Sequence, residues 1–68
     1  MTQVRIVVRL SSPMGEAHQP IQSFVTSLDS GSARAASQFW HERQALKSIA
    51  QLHFPRLIVE EVVGVDEL

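Results

Sequence analysis

The chain has no cysteine, which removes disulfides, thiolate metal sites and thiol redox chemistry together. It also has no excess of basic charge: six Lys and Arg stand against seven Asp and Glu, for a formal net charge of −1. A general nucleic-acid coat or a polybasic membrane binder is therefore not expected. No apolar run approaches the about 20 residues that span a bilayer, and no charged start leads into an apolar core. The expectation is a soluble, cytoplasmic protein without membrane association.

The usual catalytic and phosphate-binding signatures are missing as well: there is no GxGxxG, GxxxxGK(S/T), HExxH or GxSxG,. Spacing assembles no nucleophile, base and orienting group, so the chain is not expected to be an enzyme, and no cofactor is expected. The three histidines, His18, His41 and His53, are not at metal-ligand spacing. On one helix His41 and His53 would stand about 18 Å apart. A turn at residues 11–15 (SSPMG) offers backbone amides to a phosphate, but without the glycine pattern or a lysine that would hold one,.

What is present is the composition of a folded domain, 44% hydrophobic and 19% charged in 68 residues,. That length allows a single small domain, residues 1–68,. A domain of this size buries only about 60% of its chain surface. Without covalent staples it needs very good packing or a partner.

The clearest element is VRIVVRL at residues 4–10. Val4, Ile6, Val8 and Leu10 fall on one face and Arg5, Val7 and Arg9 on the other, the alternation of a strand with one buried face. Arg5 and Arg9 either lay their stems along the sheet or meet an anionic partner. Residues 11–20 (SSPMGEAHQP) carry two prolines and a glycine and form a loop, long for so small a domain,.

Residues 21–28 (IQSFVTSL) fit two templates. As a helix, Ile21, Phe24, Val25 and Leu28 share a face. As a strand hairpinned onto the first, Phe24, Thr26 and Leu28 share one face and Ile21 and Val25 the other. In either case Asp29-Ser30-Gly31-Ser32 ends the segment and supplies a helix N-cap,.

One long helix is expected from about Ala33 to about His53, stopped by Pro55,. At 100° per residue Ala35, Phe39, Leu46, Ile49 and Ala50 form its core arc, with Gln44, Ser48, Gln51 and Ser37 in water. After Pro55 a last strand is expected over residues 56–63. Leu57, Val59, Val63 and Val65 alternate, Ile58 and Val62 enrich the other face, and Glu60-Glu61 mark a bulge,. Such two-faced apolar character fits a central strand or one covered by a second subunit. Residues 64–68 read as an acidic tail.

The fold class is thus α/β, in its α+β two-layer form: a small sheet of two to three strands packed on one long helix, in the order β-β-α-β. The charges separate along the chain. All six basic groups precede residue 57 with three acids, while Glu60, Glu61, Asp66 and Glu67 follow. An acidic last strand beside the Arg5/Arg9 strand accounts for this and sets register more than stability.

One constellation stands above background: Trp40, Arg43, Lys47 and Gln51 follow one another at i, i+3, i+7 and i+11. An aromatic ring beside two cations has the composition of an interface hot spot or of a base-stacking site. It is also what a tryptophan folded over the end of a small core looks like.

One helix cannot cover both faces of a sheet. The expected function is a non-enzymatic protein–protein interaction module, a small subunit or adaptor that oligomerises or docks on a larger partner. The expected partner-binding residues are Arg5, Val7, Arg9, Trp40, Arg43 and Lys47, and the expected partner is a second copy (a homodimer) or a larger protein. The alternative is a nucleic-acid or anionic-ligand binder using Arg5, Arg9, Arg34, Arg43 and Trp40. No metal ligand is assigned.

Overall fold

In a computed structural model the described residues are 1–12 and 20–68. The expected loop at 11–20, with Glu16 and His18, lies outside the described residues except for Ser11, Ser12 and Pro20.

Three strands form one antiparallel sheet: β1 (Thr2–Ser11), β2 (Ile21–Leu28) and β3 (Ile58–Glu67), in the spatial order β2-β1-β3. Between β2 and β3 the chain crosses one face of the sheet as three short helices, α1 (Ser30–Gln38), α2 (Trp40–Ala45) and α3 (Lys47–His53). The architecture is α+β, a sheet with helices on one side. The element order is β-β-α-α-α-β in place of the expected β-β-α-β.

β1 is the centre because it is the one strand with neighbours on both sides. Its alternation is realised in full: Val4, Ile6, Val8 and Leu10 are completely buried. Residues 21–28 are a strand. Of the two templates the hairpin wins, since β2 pairs with β1 without a shift from Thr2↔Leu28 to Arg9↔Ile21 and sets Phe24 beside Ile6 in the core.

The single long helix is not formed. Asp29 caps α1 as expected, accepting the Ser32 N–H at 3.0 Å and the Ser32 hydroxyl at 2.7 Å. The helix then ends at Phe39, whose backbone is extended (φ −116°, ψ 126°). Phasing explains the break. Ala33 and Ala36 in α1, and Leu46 and Ala50 beyond it, are all buried against the sheet. On one straight helix Ala33 and Leu46 would point about 140° apart. Turning the chain at Phe39 lets both pairs face the sheet, and it takes Phe39 and Ile49 out of the expected core arc: both are exposed.

The last carbonyls of α1 are satisfied by a side chain. Arg43 Nε donates to Ala36 O at 3.0 Å and its Nη2 to Ser37 O at 2.8 Å. The second break, at Leu46, is slight. Leu46 stays in the right-handed helical region (φ −82°, ψ −4°) and its N–H bonds Arg43 O at 3.0 Å, a 3₁₀-type step,.

Gln51, expected in water, is instead a half-buried strut between α3 and β3. Its Nε2 donates to Phe54 O (2.9 Å) and Leu57 O (2.6 Å), and its Oε1 accepts the Val59 N–H (3.1 Å). Two carbonyls of the connection and one N–H at the start of β3 are satisfied by one amide,. Beside it, His53 stacks on Phe24 with centroids 4.4 Å apart, and Phe54 meets both rings edge-on.

β3 is an edge strand, not the central one, and it runs through Glu67, taking in most of the expected tail. Its pairing with β1 shifts twice, leaving Val63 and Glu60 as extra residues. The bulge expected at Glu60-Glu61 is one of the two. Together they replace the expected alternation: Val59, Val62 and Val65 are buried, three residues apart, and Val63 is exposed,. No regular strand places every third residue on one face.

Candidate interaction surface

The second face of the sheet carries nothing among the described residues. Facing residues in an antiparallel pair share a side, so the register defines this surface. Arg5 lies between Val25 and Asp66, Val7 between Ser23 and Gly64, and Arg9 between Ile21 and Glu61, with Ser11 beside Ile58 at one end. Ile21 and Val25 on β2, and Ile58 and Val63 on β3, are each between a third and three-fifths exposed. Val7 sits half-buried in the middle, where the missing side chain of Gly64 leaves a shallow dip.

Part of the charge of this face is matched inside the chain. Arg9 Nη1 and Glu61 Oε1 form an ion pair at 2.8 Å, the Ser11 hydroxyl donates to Glu60 Oε1, and Arg5 stands opposite Asp66. The separation of basic body and acidic end read in the sequence is therefore a cross-strand match between β1 and β3. What remains for an outside partner is the exposed Ile21, Val25, Ile58 and Val63, with Val7 between them and Arg5 outside any ion pair among the described residues.

The expected partner-binding residues fall into two groups. Arg5, Val7 and Arg9 come together on the open face. Trp40, Arg43 and Lys47 lie in the helical layer on the other side of the sheet. Trp40 opens α2 and is 62% exposed, next to exposed Phe39, whose ring packs 5.8 Å from that of His41. Arg43 is half-buried and held by the carbonyls of α1, and Lys47 is half-buried at the start of α3. Arg34 is exposed on α1.

The open-face residues outside the expected set are Ile21, Val25, Ile58 and Val63. For the first two the strand template already carried the signal, since it put Ile21 and Val25 on the face away from Phe24. For Ile58 the alternation carried it too, since it set Ile58 opposite Val59; for Val63 the bulges hid it, because they break its alternation with Val59 and Val65.

Asp29 has a carboxyl held below the usual carboxylate range, chiefly by the Ser32 hydroxyl and then by the Ser32 N–H. This is a helix-capping effect. Among the described residues no group of three or more His, Asp and Glu is gathered as metal ligands would be. No helix among them is long and apolar enough to cross a membrane.

Comparison with protein-family models, with curated proteins and with solved structures returns no match to this chain.

Proposed function

We propose that this chain is a non-enzymatic protein–protein interaction module, a small subunit or adaptor that works through the open face of its sheet. The observation that carries this reading is that face itself, where Ile21, Val25, Ile58 and Val63 stand exposed to either side of the outward row of β1 and Arg9 is paired within the chain with Glu61. A sheet that buries one face on helices is complete only when its other face is polar or covered. This one leaves Ile21, Val25, Ile58 and Val63 exposed on both outer strands, and large apolar side chains gathered on one uncovered face mark an interaction surface.

The same geometry weighs against a nucleic-acid or anionic-ligand binder. A phosphate-binding surface needs free cations in one place. Arg9 is paired with Glu61, Arg43 is held by the carbonyls of α1, and Trp40 lies on the far side of the sheet from Arg5.

Light scattering of the purified chain across a concentration series and at rising salt tests the reading. An assembly heavier than 7.6 kDa that Val7→Asp disperses, and that salt leaves intact or tightens, supports it. Binding to an oligonucleotide that weakens log-linearly with salt would favour the phosphate-binding reading instead.

A further inference from the structure

The two edges of the sheet differ in what they offer. β3 closes its side with two bulges and the acids Glu60, Glu61, Asp66 and Glu67, the devices that keep an edge from pairing. β2 has none of them. Its eight residues, IQSFVTSL, contain no charge and no proline, and its register with β1 runs without a shift.

The phase of the ladder shows which backbone groups that edge presents. Residues facing each other in an antiparallel pair alternate between those that exchange both hydrogen bonds and those that exchange none. The Leu10 N–H donates to Pro20 O at 3.1 Å, and these two residues face each other when the register is continued by one step. The bonded pairs are then Val8/Gln22, Ile6/Phe24, Val4/Thr26 and Thr2/Leu28. On the other side of β1 the Leu68 N–H bonds Gln3 O at 2.9 Å, which is the same phase. Ile21, Ser23, Val25 and Ser27 therefore direct their N–H and C=O groups outward. Each has a donor, and nothing among the described residues bonds to them.

We infer that β2 pairs edge to edge with the β2 of a second copy, antiparallel about a twofold axis, joining two sheets into one of six strands. This rests on the reading of the chain as an interaction module and narrows its assembly to one strand. Self-pairing is favoured by charge: β2 brings no like charges together, whereas β3 against its own copy would oppose acid to acid,. Symmetry then dictates the geometry. A twofold axis normal to the sheet keeps each residue on its own face, so it passes through a residue position and the helices of both copies lie on one side. The open faces become one continuous surface.

The test pairs two amide sets in hydrogen exchange on the intact chain. In the dimer the amides of Ile21, Ser23, Val25 and Ser27 become protected as concentration rises, while those of Gln22, Phe24, Thr26 and Leu28 are protected throughout. Light scattering of the same samples reads twice the 7.6 kDa chain mass. Ser23→Pro removes an outward donor without touching a bond to β1 and returns the mass to that of one chain. Ser23→Lys, which keeps the backbone and sets two cations across the axis, does the same.

A wild-type chain that stays at 7.6 kDa at every concentration, with the outward amides unprotected, overturns the inference. So does a dimer that both Ser23 variants leave intact. If Val7→Asp disperses that dimer, the open-face reading stands and only the edge is wrong. If the Ser23 variants disperse it and Val7→Asp does not, the edge stands without the face.

Discussion

The covered and open faces of the sheet are built from the same three strands, and β1 supplies both with strict alternation. On the covered face Val4, Ile6, Val8 and Leu10 have no contact with solvent, packed by Ala33, Ala36, Leu46 and Ala50 from the helices. On the open face Arg5, Val7 and Arg9 stand between Ile21, Val25 and the acidic β3. Among the described residues the first face is covered and the second is not. Small residues in the helical layer account for much of the difference: three alanines let α1 and α3 approach the strands closely, so a short chain closes one core fully. Among the described residues nothing lies over the other side.

The contrast is broken most sharply from the covered side. Ile6→Ala should lower unfolding free energy by about 2–5 kcal/mol, read from urea denaturation, with Ile6→Val at about 0.5–1.5 kcal/mol as the variant that still folds. A small loss from Ile6→Ala would mean that the helices close down on the gap and that the core is not tightly packed. Gln51→Ala comes next, leaving the Val59 N–H and the Phe54 and Leu57 carbonyls without their partner. About 1–3 kcal/mol is expected, and Gln51→Glu, which keeps the acceptor and loses the donors, should fall between.

The helical layer also has a pH-dependent anchor. Because the Asp29 carboxyl is held below its ordinary range in the folded chain, its contribution is complete at neutral pH. It is lost as pH falls through the folded-state value. Asp29→Ala should therefore lower the thermal midpoint near neutral pH and make progressively less difference in acid. Equal loss at all pH would show that the cap acts without its charge. Smallest is the open face: a double-mutant cycle on Arg9 and Glu61, both partly exposed, should give a coupling of about 0.2–1 kcal/mol that shrinks with salt. A larger, salt-resistant value would mean that this face is already covered in solution.

How much of this was legible in the sequence depends on how local each decision was. β1 could be read residue by residue, because period-two alternation in Val4–Leu10 needs no other part of the chain to interpret it. The Asp29 cap and the bulge at Glu60-Glu61 were legible for the same reason. The strand at 21–28 was ambiguous because its apolar residues satisfy both a helix and a strand spacing, and only the neighbouring β1 edge decides between them.

The helical region was misread because 100° phasing presumes a straight axis, and the turn at Phe39 resets the phase between Ala36 and Leu46. Gln51 looked like a solvated side chain since its role exists only where the end of α3 meets the start of β3. Of the candidate site, Arg5, Val7 and Arg9 were visible as the second face of β1. Trp40, Arg43 and Lys47 share a helical stripe, yet they sit on the opposite side of the sheet.

The sequence by itself determined the first strand, its two unlike faces, the cap of the first helix and the opposition of a basic body to an acidic end. These follow from side-chain chemistry at fixed short spacings, which the backbone geometry of each element imposes wherever that element lies. Only the tertiary structure decided that β1 is central, that the helix breaks into three, and that β3 is a guarded edge while β2 is an open one. Those outcomes depend on which distant segments compete for the same buried surface, and that competition is resolved only when the whole chain is packed.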